Sequence, residues 1–128
     1  MEKNTSAYYL YGAAALVVVG LLAFAVTRES APSPYDGFAQ CLSDSGIKMY
    51  GAWWCPHCQN QKKLFGNSFD FVIYVECSNA DKSMNQTCQD AGIEGYPTWE
   101  LDDGTRLGGE QSLETLAEQS GCKLPATE

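Results

Sequence analysis

Trp53-Trp54-Cys55-Pro56-His57-Cys58 is the stretch on which the reading of this chain turns. Two cysteines three apart fall on one face of a helical turn. With a helix starting at Cys55, that sulfur meets the positive end of the helix dipole, which favours the nucleophilic thiolate, and Cys58, one turn further in, is placed to close a disulfide with it. The flanks fit. Ile47 to Ala52 is an apolar, strand-like run, and Gln59 to Phe65 is helix-compatible up to a stopping Gly66. Strand, Cys-x-x-Cys and helix in that order predict a redox site.

Outward from this stretch, the chain divides by composition. Ala7 to Val26 carries no charge over 20 residues. At about 1.5 Å per residue such a helix matches a bilayer core of roughly 30 Å. Tyr8, Tyr9 and Tyr11 stand at one end, where amphipathic rings favour the interface. The competing reading is a cleaved signal peptide, and Ala23-Phe24-Ala25 has the small-x-small form of a cleavage site. Against it, the apolar run exceeds a usual signal core, and only Lys3 precedes it against Glu2. The organisation read from the sequence is therefore a tail at 1–6, a transmembrane anchor at 7–26, a linker at 27–35, one small domain at 36–122 and a tail at 123–128. One domain of this size supports a single core.

The net charge of −8 lies in the part beyond the apolar run: from Ser30 onward there are 6 basic and 14 acidic residues. That balance argues against nucleic acid or an anionic membrane surface as partner. Six cysteines in so short a domain point to a compartment where they can pair. The expected topology follows from this: amino terminus cytoplasmic, Cys-rich domain outside the cytoplasm in a periplasm, at a cell exterior or in a lumen. The few charges beside the apolar run add little to the choice.

Within the domain, the pattern predicts a helix capped by Asp36 and stopped near Gly46, a strand over Ile47–Trp53, and the Cys-x-x-Cys helix. A second strand over Phe69–Val75 reads as central, because its apolar run is nearly continuous. A helix around Ser83–Ala91 follows, then a strand over Thr98–Leu101. Asp102-Asp103-Gly104 turns that strand into Thr105–Leu107, and Ser112 caps a last helix stopped by Gly121. The expected fold is α/β, a mixed sheet of about four strands with helices on both sides.

Cys55-Pro56-His57-Cys58, Gly92-Ile93-Glu94-Gly95-Tyr96-Pro97-Thr98, a hairpin and a final helix resemble the thioredoxin superfamily. More narrowly, Lys48 to Cys58, Tyr74-Val75-Glu76-Cys77 and Gly95 to Trp99 resemble the thioredoxin-like domain attached to bacterial and plant vitamin K epoxide reductase homologues. The similarity runs from about Phe38 to Cys122. With one hydrophobic span in the sequence, the four-helix quinone-reducing part of those fusions is expected to be absent. The resemblance implies a membrane-tethered thiol–disulfide oxidoreductase with protein thiol clients, reoxidised by a separate membrane vitamin K epoxide reductase-type protein. Cys55 and Cys58 are then the catalytic pair. Pro56 and His57 tune its potential, since an imidazolium beside the thiolate favours the reduced form. Pro97 is the expected cis-proline facing the pair, and Tyr96 and Trp54 shape the client surface. The redox-active disulfide itself takes the place of a cofactor, and no metal is expected.

Each of these residues has a plainer reading. Cys55 and Cys58 could be a structural bridge or half a zinc site, but Cys77 and Cys88 are eleven apart and supply no second close pair. Cys77 and Cys88 fit a structural disulfide worth roughly 3 kcal/mol in the chain-entropy model, or a second redox pair. Cys41 and Cys122 remain for a third bridge. The superfamily fold, as the resemblance implies it, puts first and last helices on opposite faces, which opposes that bridge unless the tail wraps round. Met49 stands six before Cys55, where the resemblance implies a buried acid, and its absence leaves Cys58 deprotonation to water or another group. Lys62 and Lys63 read as a solvated helix face. Electron flow in the opposite sense, as a reductase or isomerase fed from the membrane, and a non-catalytic adaptor on the same scaffold are the alternatives.

Overall fold

The computed structural model describes residues 5–26 and 32–126. Residues 1–4 and 127–128, within the expected tails, and 27–31, within the expected linker, lie outside the described residues. The chain forms two separate units, 1–31 and 32–128. In the first, α1 (Thr5–Val26) is one continuous helix. Its segment Ala7–Ala25 is long and apolar enough to cross a membrane, by length and composition.

The second unit is built on a four-stranded sheet in the order β2-β1-β3-β4. The strands are β1 (Lys48–Gly51), β2 (Ile73–Glu76), β3 (Thr98–Glu100) and β4 (Arg106–Gly108). β1 runs parallel to β2 and antiparallel to β3, and β3–β4 is the hairpin. The helices are α2 (Asp36–Asp44), α3 (Pro56–Phe65), α4 (Gln86–Asp90) and α5 (Leu113–Ser120), with a 3-10 helix over Gly66–Phe71. This is a thioredoxin-like fold, a mixed four-stranded sheet with helices on both faces.

Strand alternation sorts the side chains. Met49 and its cross-strand neighbour Trp99 face one core with Phe38 and Leu42 of α2, Phe65 of α3 and Leu116 of α5. Phe65 stands at the centre, its ring 5.9 Å from those of Phe38, Phe69 and Trp99. Tyr50, one residue on from Met49, faces the opposite core with Cys77, Cys88 and Ile93. Three helices therefore cover one face and α4 the other. Across the sheet, Lys48, Glu100 and Arg106 are in register, and the carboxylate takes both cations at 3.3 and 2.8 Å. Its pKa is lowered, first by the Arg106 hydrogen bond.

Several sequence expectations need correction. The apolar run Phe69–Val75 is not a central strand. Phe69 belongs to the 3-10 helix and turns its ring into the core, whereas Phe71 and Ile73 are exposed. β2 begins only at Ile73 and is an edge, and the central strands are β1 and β3. The expected helix around Ser83–Ala91 begins later, because Asn85 caps it by accepting from the Cys88 backbone N–H. Asp36 opens α2 from the first turn rather than the cap, accepting from the Ser33 N–H and the Ser68 hydroxyl.

The opposition to a Cys41–Cys122 bridge also falls. α2 and α5 pack on the same face, so Gly121, in the left-handed conformation after α5, brings Cys122 directly to Cys41. The bridge forms with a Cα–Cα distance of 5.9 Å, and a second joins Cys77 to Cys88 at 5.5 Å.

Candidate functional site

After β1 the backbone turns through Ala52–Trp54, closed by the Cys55 N–H donating to the Ala52 carbonyl at 3.0 Å. Cys55 is extended and caps α3, and Pro56 takes the first helical position, where a missing N–H costs nothing. The Gln59 N–H closes the first turn on the Cys55 carbonyl. One turn in, Cys58 is fully buried, while Cys55 keeps a small exposed area. Both are free thiols, and Cys55, at the helix start, is the less enclosed of the two.

The loop before β3 faces this pair. Tyr96–Pro97 is a cis peptide bond, Pro97 is buried, and Cys55 Sγ lies 3.9 Å from the Tyr96 carbonyl. Tyr96 meets Trp54 edge-on at 6.2 Å, and the Trp54 indole N–H donates to Ser78 Oγ at 2.8 Å. Trp54 is thus half-buried and held. Trp53 is 51% exposed and offers the larger apolar surface. A groove of about 610 Å³ continues from this loop, lined by Ile93, Tyr96, Pro97, Thr98 and Arg106 among others.

His57 reaches the surface and pairs with Glu110 at 2.5 Å. Asn60 donates to the same carboxylate oxygen at 3.3 Å, and the Glu110 pKa is lowered, chiefly by the His57 hydrogen bond. Nearby, the buried Gln61 side chain exchanges hydrogen bonds with the Gln111 backbone at 2.9 and 2.6 Å. The segment before α5 is pinned to α3 at both points. Sequence reading missed Glu110, since a partner fifty residues away leaves no local pattern.

Burial pushes the Cys58 thiol up to about 12, with the neighbouring Cys55 thiol adding to the rise and Lys62 and an Ala52 backbone hydrogen bond opposing it. Lys62 is a further correction. Instead of a solvated face, its ammonium lies 3.7 Å from the centre of the Tyr74 ring and 5.3 Å from that of Phe69. Lys63 is exposed as expected. Met49 is wholly buried in the core and brings no ionisable group to the pair.

Gly51, at the end of β1, leaves the space in which Cys58 sits. A Cβ there would stand 2.9 Å from the Tyr74 ring and 3.0 Å from Cys58 Sγ. Both neighbours are held in the core, so Gly51→Ala is expected to destabilise the domain by about 1–3 kcal/mol, the usual cost of overpacking. Urea unfolding of the variant against the parent measures it, and an unchanged midpoint would contradict the tight packing described.

The site thus presents a reachable sulfur at a helix start, a buried sulfur one turn behind, and a backbone strand opposite. That geometry is suited to thiol–disulfide exchange, in which a client sulfur, Cys55 and Cys58 must come into line. Cys77 and Cys88 are bonded to each other on the far face, which removes them from any zinc set with Cys55 and Cys58.

No protein-family model matches the chain. The chain is 41% identical over 107 residues to thiol-disulfide oxidoreductase LTO1 of Arabidopsis thaliana, the match spanning 79% of this chain and 28% of that protein. The chain thus corresponds to under a third of the length of that relative. Among solved structures, it is similar to the glutaredoxin from Methanosarcina mazei Go1, at 22% identity and a TM-score of 0.42, covering 59% of this chain and 77% of that one. Oxidised glutaredoxin 2 from Chlamydomonas reinhardtii matches at 21% identity and a TM-score of 0.41, covering 70% and 95%.

Proposed function

We propose that this protein is a membrane-anchored thiol–disulfide oxidoreductase that works outside the cytoplasm and oxidises client thiols. The observation that carries the reading is the placement of Cys55 at the start of α3, opposite Tyr96–Pro97, with Cys58 buried behind it. Similarity to a plant thiol-disulfide oxidoreductase supports the same chemistry. In this proposal a client thiolate attacks Cys55 Sγ of the oxidised pair, Cys58 leaves, and a second client thiol releases the client disulfide. Tyr96 and Pro97 hold the client strand through backbone contacts, which tolerate many sequences. Trp53 and Trp54 give it an apolar rest. His57, paired with Glu110, tunes the potential with Pro56. No cofactor beyond the cysteine pair is invoked.

Location and reoxidation belong to the proposal too. α1 supplies the anchor, and the two structural bridges favour an oxidising compartment. Electrons would pass from the reduced pair to a membrane oxidase of the vitamin K epoxide reductase type, as the resemblance implies.

The test is equilibration of the full chain with glutathione buffers, read by alkylation of Cys55 and Cys58. A donor of disulfides is expected well above thioredoxin's potential of about −270 mV. A value near thioredoxin's would overturn the oxidising direction and favour a reductase. Failure of the pair to equilibrate at all would overturn the enzyme reading and leave an adaptor.

A further inference from the structure

β1 offers the buried Cys58 no group that can take or give a proton, since Met49 and Gly51 are the residues it turns toward α3. The neighbouring strand does. In the parallel register Tyr74 lies beside Met49 and Glu76 beside Gly51, so both stand on the Cys58 side of the sheet. Cys58 Sγ and Tyr74 Oη approach the same point, the place of the missing Gly51 Cβ, at 3.0 and 3.2 Å. They therefore lie within about 6 Å of each other, a span that one bridging water closes. The Tyr74 hydroxyl donates to Glu76 Oε2 at 2.8 Å. Glu76 is half-buried, and its other oxygen accepts from the Trp53 and Ser78 backbone N–H groups at 3.2 and 2.8 Å. The carboxylate therefore links the active-site turn, the tyrosine and solvent.

We propose that Tyr74 and Glu76 form the proton path between Cys58 and solvent, kept open by the absence of a side chain at Gly51. This rests on the redox reading of Cys55 and Cys58. When a client thiolate attacks Cys55 Sγ, the client–Cys55 bond forms, the Cys55–Cys58 bond breaks, and the electron pair leaves on Cys58. The proton that neutralises Cys58 enters along Glu76 and Tyr74, each group passing one on as it receives one. A second client thiol then frees Cys55, so the client gives up two electrons and two protons and the cysteine pair gains them. When the pair closes on a mixed disulfide, the Cys58 proton leaves by the same path as its sulfur attacks Cys55 Sγ.

The electrostatics agree with the geometry. Burial raises the Cys58 thiol, so it does not ionise unaided near neutrality. Burial first, and then the hydrogen bond to Glu76, raise the Tyr74 phenol, which keeps its proton ready to pass on. The charged and titratable groups facing Cys58 are Cys55 and Lys62 from α3, Tyr74 and Glu76 from β2, and Tyr96 from the loop before β3. Of these, Tyr74 with Glu76 is the connected donor–acceptor pair that reaches solvent.

The experiment uses the full chain in detergent with oxidised glutathione as the probe, following closure of Cys58 on the Cys55–glutathione mixed disulfide from pH 5.5 to 9.5. Tyr74→Phe is expected to slow closure about ten-fold or more at pH 7, with the deficit narrowing as pH rises and hydroxide replaces the relay. Glu76→Gln keeps an oxygen for Trp53 and Ser78 but turns an N–H toward Tyr74, and is expected to slow closure in the same pH-dependent way. Iodoacetamide should alkylate Cys55 equally fast in all three proteins. Parent-like closure in Tyr74→Phe, or a deficit constant with pH, would overturn the relay while leaving the redox reading intact. A parent protein that never closes the pair would instead overturn the redox reading itself.

Discussion

Cys58→Ser is expected to stop the catalytic cycle and leave client proteins covalently attached to Cys55. With a hydroxyl in place of the buried thiol, no internal disulfide can form, and a mixed disulfide at Cys55 has nothing behind it to expel the client. The arrangement makes the two cysteines unequal. Cys55 keeps contact with solvent at the helix start, while Cys58 is wholly enclosed, so the reverse substitution gives the opposite picture. Cys55→Ser should capture nothing, because the remaining sulfur is out of a client's reach and held as thiol by burial. Non-reducing electrophoresis of the two variants after incubation with a disulfide-bearing protein decides it. Adducts that dissolve on reduction are expected for Cys58→Ser alone. Equal capture by both variants would contradict the division of roles.

The second large effect concerns Cys41–Cys122. The bridge spans 81 residues, nearly the whole second unit. Constraint of so long a loop in the unfolded chain is worth about 4.5 kcal/mol in the chain-entropy model. Domains of this size hold roughly 5–15 kcal/mol in total, so the double substitution Cys41→Ala/Cys122→Ala should bring the fold close to its limit. The shorter Cys77–Cys88 loop, with a separation of 11, predicts a smaller loss of about 3 kcal/mol. Guanidinium unfolding of the two double variants ranks them. A larger loss on removing Cys77–Cys88 would show that the packing of Cys77 and Cys88 in the α4-side core outweighs loop closure.

What could be read in advance was what short spacing dictates. Cys55 to Cys58, Gly66 as the stop of α3, the Asp103-Gly104 turn and the Ser112 cap each depend on residues within a few positions of one another, and the structure places all of them as read. Phe69–Val75 failed for a definable reason. Continuous apolarity does not say which side chains turn inward, and here a 3-10 helix buries one aromatic while the edge strand leaves Ile73 open. Elimination pointed to the Cys41–Cys122 bridge, and only the objection to it failed, because helix faces are a property of the packed sheet. Lys62, Tyr74 and Glu76 come together only when β2 lies parallel to β1 in a register that sets Glu76 beside Gly51. No local pattern announces that, and a lysine four residues after Cys58 looks like any surface charge until the aromatic under it is known.

The two bridges away from the active site have a consequence for the protein's own birth. Cys41, Cys77, Cys88 and Cys122 emerge from synthesis as thiols, and each bridge must shed two electrons to some acceptor before the domain reaches its full stability. A freshly made copy is therefore in the same condition as its proposed clients. In the proposed direction of electron flow, a finished copy is itself a fitting oxidant for a younger one.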